Sequence, residues 1–546
     1  MKEGFRQCAA WLHTWSGLVV GWVLFFVFAT GAAGYFQHEI TRWMQPERLH
    51  VEPQAFLDQT QAATVALQRL QQVAPGATRW SITLPHVSRE MRSWQNLSIS
   101  WEEMPQPSHG GGLEGMEQLD AVTGAVLSAE PEPRATAGGR ALYQLHYLLH
   151  YMPRDVGLRI VGLCSMLMLI AIVTGVITHK KIFKDFFTFR PGKGQRSWLD
   201  AHNAISVTAL PFFLMITYSG LVFALFAYMP AGRTVLYGSG PSGQTTFANE
   251  LFERGGHKHV AIGFPIVSVP TLIRKAESAW GTGQIQTVNL EQHDGEPPEV
   301  LLSQVQGRSL DFWNSATLRF NADTGEALSE EPRVGGSALL TQGVIFNLHE
   351  GLFADIWGRW LYFIAGLLGC AMIGTGLVLW TVKRRKYHMA AGLEGGEHFG
   401  VRLVETLNVT TIAGLPLAMA AYFLANRLLP VEMTDRAAWE VHTLFAVWLG
   451  TLFYALARPL VRAWVELLWG CCLTYAFVPV VNALTTNRHL GRSLLARDWV
   501  FAGFDLTMLA LAVLFAVLAV KVRRRVVTRH ASELHMPRPA QGKGAV

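Results

Sequence analysis

The sequence predicts a polytopic α-helical membrane protein with about eight transmembrane helices. They form two helix–α+β domain–helix repeats and a four-helix C-terminal module. Three observations predict this fold class. Half of the 546 residues are hydrophobic and 16% are charged, a balance too apolar for a soluble chain of this length. Apolar stretches of about 20 residues, enough to cross a bilayer as a helix, recur eight times. Motifs of the first half also return in the second.

The same composition excludes several classes of protein. So much apolar surface can offset the chain entropy that keeps disordered segments unfolded, and 5 Cys are too few for a disulfide scaffold. The net charge of +6 alone would suggest nucleic-acid binding, but the basic residues flank apolar stretches, which is a signal of membrane orientation. We therefore expect membrane lipid as a partner and no nucleic acid.

The predicted spans follow one another along the whole chain. They cover residues 15–37, 156–178, 204–228, 357–382, 407–428, 439–457, 461–483 and 499–521. Basic residues cluster after the second, fourth and eighth spans, which places both termini in the cytoplasm. The small residues Ala32-Ala33-Gly34 could end a cleaved signal peptide, but the preceding apolar stretch is longer than usual for one, and we expect an anchor.

These spans divide the chain into six predicted parts. The parts are the first span (1–37), a first outer α+β domain (38–155), the second and third spans with a basic cytoplasmic loop (156–228), a second outer α+β domain (229–356), the fourth span (357–386) and the C-terminal four-span module with its tail (387–546). Strand-like alternation in both long loops predicts the α+β character. All five cysteines lie outside these loops, so the outer domains are expected to fold without disulfides.

An internal repeat is the most informative feature of the sequence. His13 lies 18 residues before Gly31, and His202 lies 18 residues before Gly220. Leu-His pairs ending at His146 and His349 precede the second and fourth spans, each of which contains a Thr-Gly pair. The outer loops repeat as well, because residues 120–127 correspond to 321–328, each typical of a strand, a turn with glycine and a second strand. The last four spans lack this pattern.

The four repeated histidines are the candidate ligands of a cofactor. An 18-residue helix rises about 27 Å, so His13 and His202 lie near one membrane surface, and His146 and His349 lie near the other. Facing imidazoles on a helix bundle are typical of six-coordinate haem, and two stacked haems would form an electron path between the faces. A divalent metal site or a proton relay are the alternatives, and solvated histidines at helix ends are the simplest explanation. Electron transfer needs no nucleophile or acid–base pair, so no catalytic residue is predicted.

Other polar residues leave alternatives open. His150 lies one helical turn after His146 on the same face, so either could be the ligand, although the repeat favours His146. In the C-terminal module, Glu440 and His442 begin the sixth span and Asp505 lies within the eighth. Such groups are typical of a quinol pocket, although Asp505 could instead hydrogen-bond a neighbouring helix.

The chain resembles the PepSY-associated transmembrane-helix proteins of Gram-negative bacteria. The motifs that carry the resemblance are Leu12-His13-x-Trp15-x-Gly17-Leu18, Leu145-His146 leading to Gly157-x-Arg159-x-Val161-Gly162, Phe187-Thr-Phe-Arg190-Pro191-Gly192, Trp198-Leu-Asp-x-His202-Asn203, Leu348-His349-x-Gly351-Leu352 and Gly358-Arg359-Trp360-Leu361. The Thr-Gly turns of both outer loops look like PepSY domain signatures. The resemblance covers about residues 8–386, and the last four spans look like the extension of longer members.

This resemblance implies a function in iron uptake at the bacterial inner membrane. Family members of the FoxB type are dihaem siderophore reductases, in which electrons cross the bilayer through two b-type haems and reduce a ferric siderophore in the periplasm. The resemblance places haem ligands at His13 and His202, and at His349 with His146 or His150. It implies two haem b groups, a ferric siderophore as partner, and a quinol or a cytoplasmic reductant as electron donor.

Two other classes of function remain open from the sequence. The outer domains could hold a peptide or protein partner in a regulatory protein whose helices only anchor it. Alternatively, the chain could transport iron or its siderophore along a pathway that uses Asp505 and the region of His442.

Overall fold

The computed structural model places the chain in two compact units. The helical unit consists of Met1–Arg48, Pro133–Thr217 and Leu361–Val546, and the sheet unit consists of Leu49–Glu132 and Tyr218–Trp360. The described residues are all except 1–2, 49–57, 89–92, 104–113, 128–132, 180–189, 191, 226–229, 252–259, 261–267, 293, 296, 306–309, 311–315, 329–336, 391–398 and 535–546. Residues 180–189 and 191 of the predicted basic loop after the second span lie outside the described residues.

Helices account for most of the described chain. In chain order they are α1 (Glu3–Gly34), α2 (Gln37–Met44), α3 (Gln59–Val73), α4 (Gly138–Leu148), α5 (Arg154–Thr178), α6 (Gln195–Thr208), α7 (Leu210–Phe223), α8 (Ala231–Tyr237), α9 (Pro241–Leu251), α10 (Val269–Trp280), α11 (Ser337–Glu350), α12 (Ile356–Ala390), α13 (Phe399–Val409), α14 (Leu415–Leu428), α15 (Arg436–Ala457), α16 (Leu460–Thr485), α17 (Leu490–Leu495) and α18 (Trp499–Leu534).

The membrane character predicted from the sequence is confirmed. Among the described residues, 7 helical segments are long and apolar enough to cross a membrane, and one bent helix pair brings the number to as many as 8. The seven are α1, α5, α12, the continuous segment from α13 to α14, α15, α16 and α18. α1 begins at Glu3, well before the predicted start at residue 15, so His13 lies within the helix rather than at its end.

The third predicted span is broken into two helices. The sequence had predicted one continuous span from 204 to 228. α6 and α7 meet at Ala209 with a bend of 68°. Pro211 follows directly in the first turn of α7. Proline lacks the backbone N–H that would continue the helical hydrogen bonds, and its ring clashes with the preceding turn, so a break at this point has a local cause.

The fifth span contains one turn of π-helix, Thr410–Gly414, between α13 and α14. This wider turn directs carbonyl groups away from the helix ladder, and neighbouring helices supply donors to them. Trp448 Nε1 on α15 donates to the carbonyl of Thr410 at 3.0 Å, and Cys471 Sγ on α16 donates to the carbonyl of Ala413 at 3.1 Å. The π-turn is thereby fixed against two further spans.

The sheet unit combines strands from both long loops. The strands are β1 (Arg79–Thr83), β2 (His86–Ser88), β3 (Ser93–Gln95), β4 (Ser98–Glu102), β5 (Glu114–Gln118), β6 (Ile285–Glu291), β7 (Glu299–Gln304) and β8 (Thr317–Asn321). Six of them form one antiparallel sheet in the order β5-β4-β1-β6-β7-β8, and β2 pairs with β3 separately. The two loops therefore meet at the pairing of β1 with β6, where Ile82 lies opposite Val288.

Two helices, one from each loop, cover this sheet. α3 and α10 pack against each other, and their buried faces are lined by residues such as Ala66, Leu70 and Leu272, all without exposed surface. Gln59 at the start of α3 both donates to the carbonyl of Ile285 and accepts from its amide N–H, at 2.7 and 3.2 Å. The buried side-chain amide of Gln59 thus satisfies both backbone groups of the first residue of β6. This is a second link between the loops.

The repeated turns predicted in both loops are present. Asp120 Oδ1 accepts from the backbone N–H of Thr123 at 2.7 Å, and Asn321 Oδ1 accepts from that of Thr324 at 3.0 Å. Gly124 and Gly325 follow at φ +70° and +69°, a backbone conformation that L side chains rarely adopt. The same turn geometry in both halves supports the duplication.

Candidate functional site

Two of the predicted site histidines lie beside each other in the helical unit. His13 is on α1 and His202 is on α6, with ring centroids 6.2 Å apart and ring planes at 63°. Imidazoles bound on opposite sides of one metal ion through bonds of about 2 Å have ring centres roughly 6 Å apart. The spacing of this pair therefore fits two residues that would hold one haem iron between them.

Backbone carbonyl groups orient both rings. His13 Nδ1 lies 2.8 Å from the carbonyl oxygen of Ala171 on α5, and His202 Nδ1 lies 2.9 Å from that of Met372 on α12. Because a carbonyl only accepts, Nδ1 of each ring donates the hydrogen and Nε2 carries the lone pair. A hydrogen bond from the distal ring nitrogen is the usual way in which proteins hold a metal-binding histidine.

Glycines provide the space for these two rings. A Cβ atom at Gly175 on α5 would lie 3.1 Å from His13 Cε1, and one at Gly376 on α12 would lie 3.2 Å from His202 Cε1. Each glycine belongs to one of the Thr-Gly pairs seen in the sequence, and it lies four residues after the carbonyl that accepts the hydrogen bond from the ring. One helical turn thus supplies both the acceptor and the space.

His146 on α4 repeats this arrangement against α1. Its Nδ1 donates to the carbonyl of Val27 at 2.7 Å, and a Cβ at Gly31 would come within 2.5 Å of that nitrogen. The glycine again follows the accepting carbonyl by four residues. The surroundings of His146 are therefore those of His13 and His202, as the sequence repeat predicts.

His349 at the end of α11 has the equivalent surroundings within the sheet unit. Its Nδ1 lies 2.9 Å from the hydroxyl of Ser219, and a Cβ at Gly220 would lie 2.9 Å from its Cε1. Phe223 contacts the ring at a centroid distance of 5.2 Å. All four repeated histidines therefore lie against the glycine of a Ser/Thr-Gly pair on the other helix of their own repeat.

The four histidines and their glycines lie within a segment that matches a known protein family. The family model described as "PepSY-associated TM region" matches residues 10–383, about two thirds of the chain and all four histidines. The chain belongs to this family. A comparison with curated proteins found no match. The PepSY-associated region ends just before the C-terminal module, so the last four spans lie beyond the matched residues.

His150 of the PepSY-associated region has different surroundings from His146. It lies in the turn between α4 and α5, where Leu149, His150 and Tyr151 have φ values of 55°, 28° and 54°. Its ring stacks on Phe445 of the C-terminal module at 5.5 Å and 13°. Of the two candidate ligands, His146 therefore shares the glycine contact of the other site histidines and the carbonyl contact of His13 and His202.

The two acids that the sequence singles out in the C-terminal module, Glu440 and Asp505, are buried and bind groups of the PepSY-associated region. Asp505 accepts from Trp43 Nε1 and from Asn482, both at 3.1 Å. Glu440 accepts from Thr136 Oγ1 at 2.7 Å and from the backbone N–H of Ala137 at 2.9 Å. Asp505 thus has the helix-bridging contacts that the sequence left as its simpler explanation.

The basic and amide partners of these acids were not predicted from the sequence. Arg436 has no exposed surface and forms an ion pair with Glu440 at 2.7 Å. Arg427 lies 3.8 Å over the ring of Trp43 and donates to Asn482 at 3.0 Å. Arginines near span ends are commonly orientation signals, so the sequence alone gave little reason to place these two in the interior.

Proposed function

We propose that this protein is a dihaem b-type electron-transfer protein of the bacterial inner membrane that reduces ferric siderophores in the periplasm. The observation that supports it most directly is the pair His13–His202, whose ring spacing of 6.2 Å fits two ligands of one iron. Nδ1 of each ring is held by a carbonyl, which leaves Nε2 for the metal.

The sequence repeat predicts His146 and His349 as the ligands of a second haem. Each of these rings has the same contacts with a glycine and a hydrogen-bond partner as the first pair. No Cys-x-x-Cys-His motif is present for covalent attachment, so both groups would be haem b. In this proposal both termini are cytoplasmic and the sheet unit faces the periplasm.

The residues of this chain hold and tune the cofactor, and the haem supplies one-electron chemistry when it is bound. The hydrogen bond from Nδ1 to a carbonyl increases the basicity of the His13, His146 and His202 imidazoles, which would favour the ferric form of a bound iron. The glycines let each ring lie against the backbone of the next helix, so the rings would keep one orientation when a haem is bound.

The proposed reaction transfers one electron to each ferric siderophore. The siderophore iron is reduced from Fe³⁺ to Fe²⁺, and no bond to carbon is formed or broken. Hard oxygen donors bind the ferrous ion much more weakly, so reduction releases the metal. The electron donor in this scheme is a quinol or a cytoplasmic reductant.

Haem content tests the cofactor assignment. The purified full-length protein is expected to contain about two low-spin b-type haems per chain, measured by the pyridine haemochrome and by oxidised and reduced visible spectra. His13→Ala and His202→Ala should each lose one haem and keep the other. His150→Ala is the matched control, because its ring contacts Phe445 instead of a glycine turn, and it should keep both haems.

The assignment is wrong if protein from cells supplied with haem is colourless, or if His13→Ala and His202→Ala both keep full haem content. A colourless protein would favour a regulatory function for the sheet unit. Reductase activity is tested separately in proteoliposomes, with a ferric siderophore outside and formation of a coloured Fe²⁺–chelator complex as the signal. Reduction should stop in His146→Ala.

A further inference from the structure

A cluster of aromatic and imidazole side chains joins the C-terminal module to the turn after α4. It consists of His150 and Tyr151 from that turn and Trp439, His442 and Phe445 from α15. We name it the His442 cluster. Its α15 residues lie outside the residues matched by the family model, so the family does not explain them.

The side chains of the His442 cluster contact one another through a hydrogen bond and ring stacking. The Tyr151 hydroxyl lies 2.5 Å from His442 Nδ1, and the two rings stack at 5.7 Å and 13°. The tyrosine hydroxyl can donate or accept, and in the tautomer in which Nδ1 of His442 donates to it, Nε2 is the acceptor nitrogen. Burial and the nearby His442 lower the pKa of His150, and burial raises the pKa of Tyr151, so both are uncharged near neutral pH.

The backbone that presents these residues is strained. Leu149, His150 and Tyr151 occupy positive φ in succession, which costs about 1–3 kcal/mol for each such residue. None of them is glycine, and leucine and tyrosine are unfavourable there. Such strain concentrates at sites that must hold side chains in a fixed orientation before a ligand arrives.

The cluster is open on the surface of the helical unit. Tyr151 is 62% exposed and Trp439 is 49% exposed, whereas Glu440, the next residue of the same helix, has no exposed surface. α15 is a candidate span, so this surface lies at the membrane. Rings with hydrogen-bonding groups at a membrane surface suit a lipid-soluble ligand that also combines a ring with polar groups.

Aromatic contacts connect the cluster with a site histidine. The ring of His150 stacks on Phe445, and Phe445 lies 6.3 Å from Phe26 on α1. The next residue, Val27, provides the carbonyl that accepts from His146. A redox ligand at the cluster is thus separated from His146 by two aromatic contacts and one hydrogen bond.

We propose that the His442 cluster binds a membrane quinol and is its oxidation site. The quinol ring lies against Phe445 and Trp439, and one hydroxyl donates to His442 Nε2. This inference rests on the proposed function, because the electrons pass to the haem held by His146. The quinol gives up two electrons and two protons and becomes the quinone. In the haem-loaded protein the two ferric haems would take up one electron each, and the protons would pass through His442 to water.

Photo-crosslinking tests the binding site independently of haem. The full-length protein in nanodiscs is irradiated with an azidoquinone, and the labelled peptides are identified by mass spectrometry. We expect label in the peptides that contain Tyr151 or residues 439–445, and a loss of at least tenfold when decylubiquinone competes or when His442 is changed to Phe. Label confined to other peptides, or no specific label, would overturn the proposal.

Stopped-flow reduction tests the electron step. Decylubiquinol should reduce the haems of the wild-type protein, and His442→Phe and Tyr151→Phe should slow this at least tenfold while reduction by dithionite and haem content stay unchanged. Tyr454→Phe is the matched control, because it removes the hydroxyl of another tyrosine on α15 that bonds Glu466, far along the helix from the cluster. It should reduce at the wild-type rate.

The outcomes separate the two proposals. Wild-type rates in both cluster variants, or reduction by a nicotinamide cofactor but not by decylubiquinol, would refute the quinol site and leave the haem assignment intact. A protein without haem would refute the proposed function and the electron step, and the crosslink would still decide whether the cluster binds quinone.

Discussion

At the scale of single residues, the four site histidines depend on four glycines that have no chemistry of their own. The histidines were evident from the sequence, because their spacing to a Ser/Thr-Gly pair repeats. The sequence repeat could not show which ring meets which glycine. In the structure each histidine lies against the glycine of the other helix in its repeat, a contact that depends on how the helices pair.

Gly31→Ala tests this contact directly. The added Cβ would lie 2.5 Å from His146 Nδ1, so the ring must move and its hydrogen bond to Val27 must lengthen or break. We expect the variant to lose or shift the signal of one haem in the visible spectrum. Gly17→Ala is the control, because it is on the same helix and a Cβ there meets nothing within 4 Å. Identical spectra for both variants would contradict this role for Gly31.

At the scale of elements, the C-terminal module is attached through buried charges. Arg436 and Glu440 have no exposed side-chain surface, and both contact the segment before α4. An ion pair on the surface of the same module, Arg458–Glu466, is 45% and 35% exposed. The two pairs have similar distances, 2.7 and 2.9 Å, and very different surroundings.

Glu440→Gln should therefore destabilise the protein strongly. It leaves the Arg436 guanidinium buried without its countercharge, and removing one partner of a buried pair costs about 3–5 kcal/mol. Glu466→Gln removes the same charge from an exposed pair, which is worth less than about 1 kcal/mol. Thermal unfolding in detergent should show a clearly lower midpoint for Glu440→Gln alone. Equal midpoints in the two variants would argue against a buried ion pair.

The sheet is the element that the sequence described least completely. Alternating residues predicted strands in both loops, and these strands exist. Their pairing across loops depends on contacts more than 200 residues apart, for example Ser81 with Asn289, which no local pattern specifies. The break at Ala209, in contrast, had a local signal in the sequence. Pro211 lies within an otherwise continuous apolar run, and the run was interpreted as one span.

Ser81→Cys with Asn289→Cys should form an intramolecular disulfide. The two residues lie directly opposite each other, and Cα atoms of opposed antiparallel residues are about 4.5–5.5 Å apart, within the range of a disulfide. Ser81→Cys with Ser303→Cys is the control, because Ser303 is on β7, one strand further and two residues along, so that its Cα lies more than twice the strand spacing of about 4.8 Å away. Crosslinking of the control pair alone would refute this strand order.

At the scale of the whole molecule, the orientation in the membrane stays a prediction. It rests on basic residues after the second, fourth and eighth spans, of which Lys180, Lys181 and Lys184 lie outside the described segments. The number of spans is better supported, because seven helices and one bent pair give the eight that the sequence predicts.

Cysteine labelling tests the orientation. In a background without native cysteines, Thr123→Cys in the sheet unit should react with an impermeant maleimide on intact spheroplasts. Arg458→Cys, in the turn between α15 and α16, should react only after permeabilisation. Cys8, which is exposed near the N-terminus, should behave like Arg458→Cys when it is the only cysteine present. The reverse pattern would invert the predicted topology.

The contacts of the histidines also show how the same architecture could arise from two copies of a half-length chain or from one fused chain. Each ring takes its glycine and hydrogen-bond acceptor from its own repeat, whereas the ring opposite His13 belongs to the other repeat. The sheet order β5-β4-β1-β6-β7-β8 is likewise two half-sheets joined between β1 and β6. Such self-complementary seams are those of a twofold symmetric homodimer. A half-length chain would orient its histidines alone and complete a ligand pair only by dimerising, so gene fusion would preserve the site and free each half to diverge.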